Sequence, residues 1–354
     1  MKNAKKLLAI LAAASLTVMT ACGTVGGQAA AEAPAEAEPK AEEAAPAQET
    51  EETTAESTEA KEGESYLVGI CQLVQHPALD AATQGFRDAL TDALGDAVSF
   101  DEQNAAGDAS TAATICTNLV SENVDLILAN ATPALQAAAA ATGDIPILGT
   151  SITEYGVALE LENFDGTVGG NVSGTSDLPP LDQQAAMVTE LFPEAKTVGI
   201  VYCSAEPNSK YQADVVEKCL EDAGLTVTIY TFSDSNDVAA VTGEACANSD
   251  VLYIPTDNTA ASCTEAINNV AQPAGVPIIA GEEGIMQGCG VATLSISYYD
   301  LGVTTGQMAV KILTGESDIS EMPIEYYPNP VKEYNPAIAE ALGVEIPEDY
   351  IAVE

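Results

Sequence analysis

From Tyr66 onward, short runs rich in β-branched residues alternate with alanine-rich helical stretches, and the alternation occurs twice in the same order. The runs are YLVGI, AVSFD, VDLILAN, IPILGT and VALEL, then TVGIVY, TVTIYTF, DVLYIP, VPIIAG and GVATLSI. Their near-continuous apolarity suits strands buried on both faces, and strands alternating with helices build parallel sheets joined by crossover helices. In the first half YLVGICQ leads through a helix to VDLILANATPAL and then IPILGTS. In the second half TVGIVYCS leads through a helix to DVLYIPTDNTA and then VPIIAGEE. The 289 residues from Tyr66 to Glu354 are too many for one small core. The economical expectation is therefore an α/β fold of two Rossmann-like lobes with parallel sheets. The junction GGNVSGTSDLPP, residues 169–180, is too short for a flexible linker, and Pro179 and Pro180 suit a helix start.

Helical periodicity supports the alternation. In ALDAATQGFRDALTDAL, the residues Leu79, Ala82, Phe86, Leu90 and Ala93 recur at steps of three and four and define one apolar face. Asp80 falls in the first turn, where a negative charge complements the helix dipole. Arg87, the sole arginine, lies beside that stripe and is expected at the surface.

The region before Tyr66 reads differently. Lys2, Lys5 and Lys6 precede an apolar run over residues 7–18 and small residues ending at Cys22. That is the pattern of a secretory signal over 1–21, and the run is shorter than the ~20 residues a spanning helix needs. The stretch MTAC, residues 19–22, resembles a bacterial lipoprotein processing site, with Met19 where leucine is usual; lipidation of Cys22 would anchor the chain without a spanning segment. Residues 22–65 are dominated by Ala, Glu, Pro, Thr and Ser, lack any aromatic residue, and are expected to form an acidic disordered tether.

Charge narrows the function classes. From Tyr66 on, 42 acidic side chains face 6 basic ones. Such a surface repels nucleic acid and anionic membrane. Eight cysteines include Cys22, which leaves seven, with no CxxC; their pairing cannot be assigned from spacing. One histidine, His76, makes a zinc site improbable, and no phosphate-binding glycine loop or nucleophile elbow is present. Neither an enzyme nor a cofactor is expected. In open parallel sheets, ligands bind beyond the carboxyl ends of the strands, where loops meet helix starts. His76 stands at such a place, with Pro77 at the expected first helical position.

The segments VGICQLVQHPALDAATQGF, GGNVSGTSD, VLYIPTDNTAAS, PIIAGEEG, ATLSISYYDLG and NPAIAEALGVEIP carry a resemblance. Together, over residues 66–354, they resemble the substrate-binding lipoproteins of ABC importers with the type I periplasmic-binding-protein fold, within the subgroup that includes tryptophan- and other aromatic-amino-acid-binding members. The resemblance implies three hinge crossovers, near 175–177, 296–298 and 322–325. It places 66–174 plus 298–322 in a first lobe and 177–296 plus 324–354 in a second. It implies an exported, lipid-anchored protein on the outer face of the cytoplasmic membrane, which captures a small solute in an interlobe cleft, closes, and delivers it to permease subunits. An amino acid, possibly aromatic, is the implied solute; a nucleoside or sugar, or a role as an extracellular sensing subunit, are the alternatives.

Strand ends nominate the site residues. In the second lobe, Asp257 could hold a ligand ammonium or cap a helix, with Thr256 and Asn258 beside it. Ser204, Glu206, Asn208 and Ser209 straddle another helix start, where N–H groups and hydroxyls could hold a carboxylate. Glu282 follows PIIAG as a second strand-end acid, and with Asp257 favours an amine-bearing ligand. In the first lobe the candidates are Gln72, His76, Ala131, Thr132, Thr150 and Ser151. Trp is absent, which disfavours a sugar sandwiched between rings, and Tyr155 is a candidate wall for an apolar slot.

Overall fold

The computed structural model describes residues 65–353. The signal over 1–21, Cys22 and nearly all of the acidic segment lie outside the described residues.

The first lobe runs β1 (Tyr66–Gln72), α1 (Pro77–Leu94), β2 (Val98–Asn104), α2 (Ala109–Glu122), β3 (Leu126–Asn130), α3 (Thr132–Ala141), β4 (Ile147–Ile152), α4 (Tyr155–Ala158) and β5 (Val172–Ser176). The second runs α5 (Leu181–Leu191), β6 (Thr197–Cys203), α6 (Pro207–Asp222), β7 (Thr226–Phe232), α7 (Val238–Asn248), β8 (Val251–Ile254), α8 (Asn258–Ala261), α9 (Thr264–Ala274), β9 (Ile278–Ala280), α10 (Glu283–Cys289) and β10 (Ala292–Ser295). The chain then returns through α11 (Tyr298–Leu313) and β11 (Glu325–Tyr326) to the first lobe, and ends in the second with β12 (Val331–Tyr334), α12 (Pro336–Leu342) and β13 (Ile351–Ala352).

The sheets have orders β11-β5-β4-β3-β1-β2 and β13-β12-β10-β9-β8-β6-β7. Pairing is parallel throughout the named strands except between β10 and β12. Parallel register aligns the carboxyl ends: Gln72 lies opposite both Asn104 and Asn130, and Asn130 opposite Thr150. The two-lobed α/β fold expected from the repeat is present. The first strand of each lobe, β1 and β6, is flanked on each side by later strands, so the strand order reverses there and its carboxyl end opens toward the cleft.

Three segments connect the lobes, at 177–180, 296–297 and 327–330. The third lies later than the 322–325 expected from the sequence, because Glu325 and Tyr326 pair with Thr175 and Ser176 and so prolong the first sheet. VALEL forms no strand. Glu154 accepts the Val157 N–H and starts the short helix α4 there, and the fifth strand of the first lobe is β5 instead.

The return of α11 to the first lobe has a simple steric origin. A side chain on Gly85 of α1 would meet the Tyr299 carbonyl at 2.1 Å, and one on Gly302 of α11 the Ala82 carbonyl at 2.0 Å. The two helices touch backbone to backbone, and only glycine permits that approach. Phe86 and Leu90 of α1 are buried as expected, but Ala93 is exposed and Leu94 takes its place. Arg87 lies at the surface, paired with Glu102 at 2.7 Å and 5.2 Å from the Phe100 ring centre. The seven described cysteines are free thiols, five of them buried. Among the described residues no helix is long and apolar enough to cross a membrane.

Candidate functional site: the interlobe cleft

The two rims meet at strand ends, where backbone conformation is unusual. Ala131, between β3 and α3, has φ 87°, and Ser151, near the end of β4, has φ 56°. A non-glycine residue held at positive φ costs about 1–3 kcal/mol, and such strain collects at functional sites. Ala131 is fixed by its N–H, which donates to the Thr150 carbonyl at 3.1 Å. Thr132 then opens α3, followed by Pro133. Thr150 is buried in a hydroxyl cluster with Thr175 and Thr305.

Two side-chain contacts bridge the lobes and a third ties together two of the connecting segments. The first joins His76 Nε2 to Asn258 Oδ1 at 3.3 Å. The second joins Gln212 Nε2 to Thr153 Oγ1, also at 3.3 Å. The third runs from the Tyr298 hydroxyl, at the start of α11, to Asp177 Oδ2 in the first connecting segment at 2.9 Å.

The first contact assigns a tautomer. Asn258 Nδ2 donates to Glu206 Oε2 at 2.7 Å, and a carboxylate oxygen can only accept, so Oδ1 is the atom turned to His76. Nε2 must then carry the hydrogen. Burial lowers the His76 pKa, which favours the neutral ring. Nδ1 is left as an acceptor, and it has no partner.

The second lobe's acids are engaged by the protein's own donors. Asp257 caps α8: Oδ1 accepts from the Ala260 N–H at 2.8 Å and Oδ2 from the Cys203 N–H at 2.7 Å. Burial, and then the nearby Glu206 charge, push its pKa up to about 8. Glu282 caps α10, accepting the Gly284 and Ile285 N–H groups, and burial pushes it up to about 7. Both acids had been candidates for a ligand amine; in the structure backbone donors occupy their oxygens. Glu206 does not cap the backbone of its own helix, though Asn208 Nδ2 of that helix donates to Oε2 at 3.2 Å. It accepts from the Asn258 N–H and Nδ2 and from the Thr259 N–H and Oγ1, all between 2.7 and 2.9 Å. The carboxylate subsite expected around Ser204, Glu206, Asn208 and Ser209 therefore already holds an anion of the protein itself.

The remaining candidates divide. Gln72 is held within the first lobe by Asp80 and Thr83, and Ser204 is exposed and donates to the Phe232 carbonyl. Asn208, Ser209 and Gln212 all donate to the Thr256 carbonyl, while the Thr256 hydroxyl donates to that of Gly281. Tyr155 is not a wall of the cleft: its ring is fully buried and its hydroxyl donates to the Gly149 and Thr175 carbonyls.

After this bonding, four buried polar atoms at the cleft remain without partners: His76 Nδ1, Ser151 Oγ, Asp177 Oδ1 and Asn208 Oδ1. Ser151, Asp177 and Asn208 are 7, 3 and 5 % exposed. Buried polar groups are nearly always hydrogen-bonded, so such a group calls for an explanation. Asp177, Tyr298, Thr153 and Gln212 were not among the sequence candidates. Asp177 and Tyr298 lie on or beside connecting segments, which the rule that points to strand ends passes over; Thr153 directly follows β4 and Gln212 sits inside α6. The outer cleft between the lobes holds a cavity of about 450 Å³, with Val74, Asp108 and Pro133 on one side and Glu206, Ser235 and Thr259 on the other. Among the described residues no grouping of three or more His, Cys, Asp or Glu could hold a metal ion.

Two facing Rossmann-like lobes, three connections and a buried polar cleft define a type I solute receptor. The family profile for ABC transporter substrate binding proteins matches residues 67–353, and the chain belongs to that family. It is 38 % identical over 275 residues to a tyrosine-binding protein of Clostridioides difficile (strain R20291), covering 76 % of this chain and 78 % of that one. An ABC domain from Streptococcus pneumonia, solved in complex with L-Trp, superposes with TM-score 0.77 at 34 % identity, covering 80 % of this chain and 97 % of that one. A ligand-free, open substrate-binding protein with adhesive properties from Clostridium difficile gives TM-score 0.63 at 38 % identity, covering 82 % and 99 %. Of these two structures, the chain is closer in sequence to the open one and closer in shape to the L-Trp complex. It is a substrate-binding protein, not an enzyme.

Proposed function

We propose that the protein captures a free amino acid, with an aromatic one preferred, between its lobes and delivers it to an ABC permease for import. The observation that carries the reading is the chemistry of the four partnerless atoms. Three of them, on His76, Asp177 and Asn208, are acceptors, so the occupant must bring donors; an ammonium brings three N–H groups. The cleft also has a polarity. Helices α1 and α3 begin without any side-chain cap; Asp80 offsets the positive end of α1, but α3 has no acidic residue in its first turn, so its positive end stands open at the first lobe's rim. Thr132 and the Ser151 hydroxyl stand at that rim and suit a carboxylate. A zwitterion with its carboxylate toward the first lobe satisfies both ends without an arginine. The relatives named for tyrosine and solved with L-Trp support an aromatic side chain.

Calorimetry on purified protein with L-Tyr, L-Trp, L-Phe, a nucleoside and glucose tests this. Single-site binding of an aromatic amino acid is expected. Binding of the sugar or nucleoside with no response to any amino acid would refute it. Import rather than sensing predicts that deleting the gene abolishes uptake of the labelled amino acid. Acylation at Cys22 would hold the receptor at the outer face of the membrane, and Cys22→Ser should release it to the medium.

A further inference from the structure

We infer that Asp177 is the acceptor for the ligand's ammonium, and that its unpaired charge makes lobe closure conditional on a cationic group in the cleft. The inference rests on the amino-acid reading above and identifies the atom that reads the amine. Four acids are buried at this cleft: Asp177, Glu206, Asp257 and Glu282. Backbone and side-chain donors occupy both oxygens of the last three. Asp177 alone keeps an oxygen without a partner. The Thr153 hydroxyl and its own N–H lie near enough to favour the charged form, but neither closes a bond on Oδ1.

Its position gives that oxygen a second consequence. Asp177 lies on the first connecting segment, and its other oxygen is held by Tyr298, which follows directly on the second. Tyr298 also reaches Thr256 of the second lobe, and Thr153 beside Asp177 is held by Gln212 of the second lobe. Closing the lobes therefore wraps this carboxylate in protein from both sides. A buried charge with an unmatched oxygen opposes that closure; a ligand ammonium on Oδ1 removes the penalty in the closed state alone, which is the condition for a ligand to shift the equilibrium.

Burial pushes the Asp177 carboxyl up to about 6. The titratable groups facing it are Glu282 from the start of α10 and the Tyr155 and Tyr298 hydroxyls, both raised well above the ordinary tyrosine range by burial and so neutral here. An ammonium favours the carboxylate form, so affinity for the amino acid must fall as pH drops through that value.

The test compares L-tyrosine with its des-amino analogue 3-(4-hydroxyphenyl)propionate, and L-tryptophan with indole-3-propionate, on the whole receptor. Asp177→Asn should weaken the amino acids roughly ten- to a hundredfold and the des-amino acids less than about threefold. Equal losses for both classes, or none for either, would overturn the inference. The native protein supplies a readout that needs no variant. Between pH 7 and pH 5 its affinity for the amino acid should fall, while that for the des-amino acid holds or rises. A flat profile for the amino acid, or parallel falls for both, counts against Asp177. Failure of every amino acid to bind would instead bring down the reading on which this one stands.

Discussion

The two rims of the cleft are built from the same topology and part ways where the third strand of each lobe ends: α8 is capped by Asp257 while α3 has no side-chain cap, although α1 and its counterpart α6 are both uncapped. On the second lobe, Asp257 caps α8, Glu282 caps α10, and Glu206 clamps the first two residues of α8 from the neighbouring strand end. On the first lobe, the helices that follow the inner strands β1 and β3 have no side-chain cap; each begins with a proline near its first position, after His76 and Ala131 respectively. The acids of the second rim thus accept from the protein's own N–H and hydroxyl groups before any ligand arrives. The other rim is left short of acceptors and carries the strained residues Ala131 and Ser151. The difference teaches that a strand-end acid is not a ligand group merely because it faces a cleft. Its oxygens must be accounted for first.

Removing the clamp should have the largest effect. Glu206 is 4 % exposed and accepts from two residues of α8 through both oxygens. Glu206→Ala should lower unfolding free energy by about 3 kcal/mol in urea titrations, since buried hydrogen bonds to a charged group are worth about 1.5–3 kcal/mol. Affinity should fall as well, because Asn258 would lose the partner that orients it toward His76. A variant of wild-type stability would mean the second rim is not internally held, and the contrast between the lobes would fail.

Asp257 sharpens the same contrast more narrowly. Asp257→Asn keeps a cap acceptor for the Ala260 N–H and weakens the bond to the Cys203 N–H. A loss of about 1 kcal/mol in stability is expected, with affinity for the amino acid within about threefold of wild type. If affinity instead collapses while stability holds, the second rim does contact the ammonium and the assignment to Asp177 must be revised.

Much of this architecture was legible before any coordinates. The buried runs and the repeated order of YLVGICQ and TVGIVYCS announce two parallel sheets, because strands covered on both faces need continuous apolarity. His76, Ser151 and Asn208 were reachable through the rule that ligands meet strand ends. Asp177 and Tyr298 were not: in GTSDLPP and SYYDLG nothing local distinguishes a cleft residue from a junction, and only the crossing of chains between lobes brings the two within 2.9 Å. Nor could sequence show that Glu282 faces its own helix start, since a cap and a ligand group demand the same residue at the same place. The VALEL segment shows the complementary failure. Its apolar residues suit a strand, but Glu154 captures the Val157 N–H and turns the chain into α4.

The smallest expected stability change falls on the first rim and asks what the strain there is for. Ser151 is held at φ 56° with a buried hydroxyl that bonds to nothing in the protein. Both features cost stability, and neither is repaired by a neighbour, as every acid of the second rim is. Ser151→Gly relieves the backbone and removes the unpaired hydroxyl; the added flexibility of glycine in the unfolded chain offsets part of the gain. Thermal unfolding should show an unliganded receptor unchanged or stabilised by up to about 1 kcal/mol. Calorimetry should show amino-acid affinity lower by about tenfold, because a donor to the ligand carboxylate has gone. A stabilised variant with unaltered affinity would separate the strain from ligand capture and leave the uncapped start of α3 as the carboxylate's only support on that strand pair.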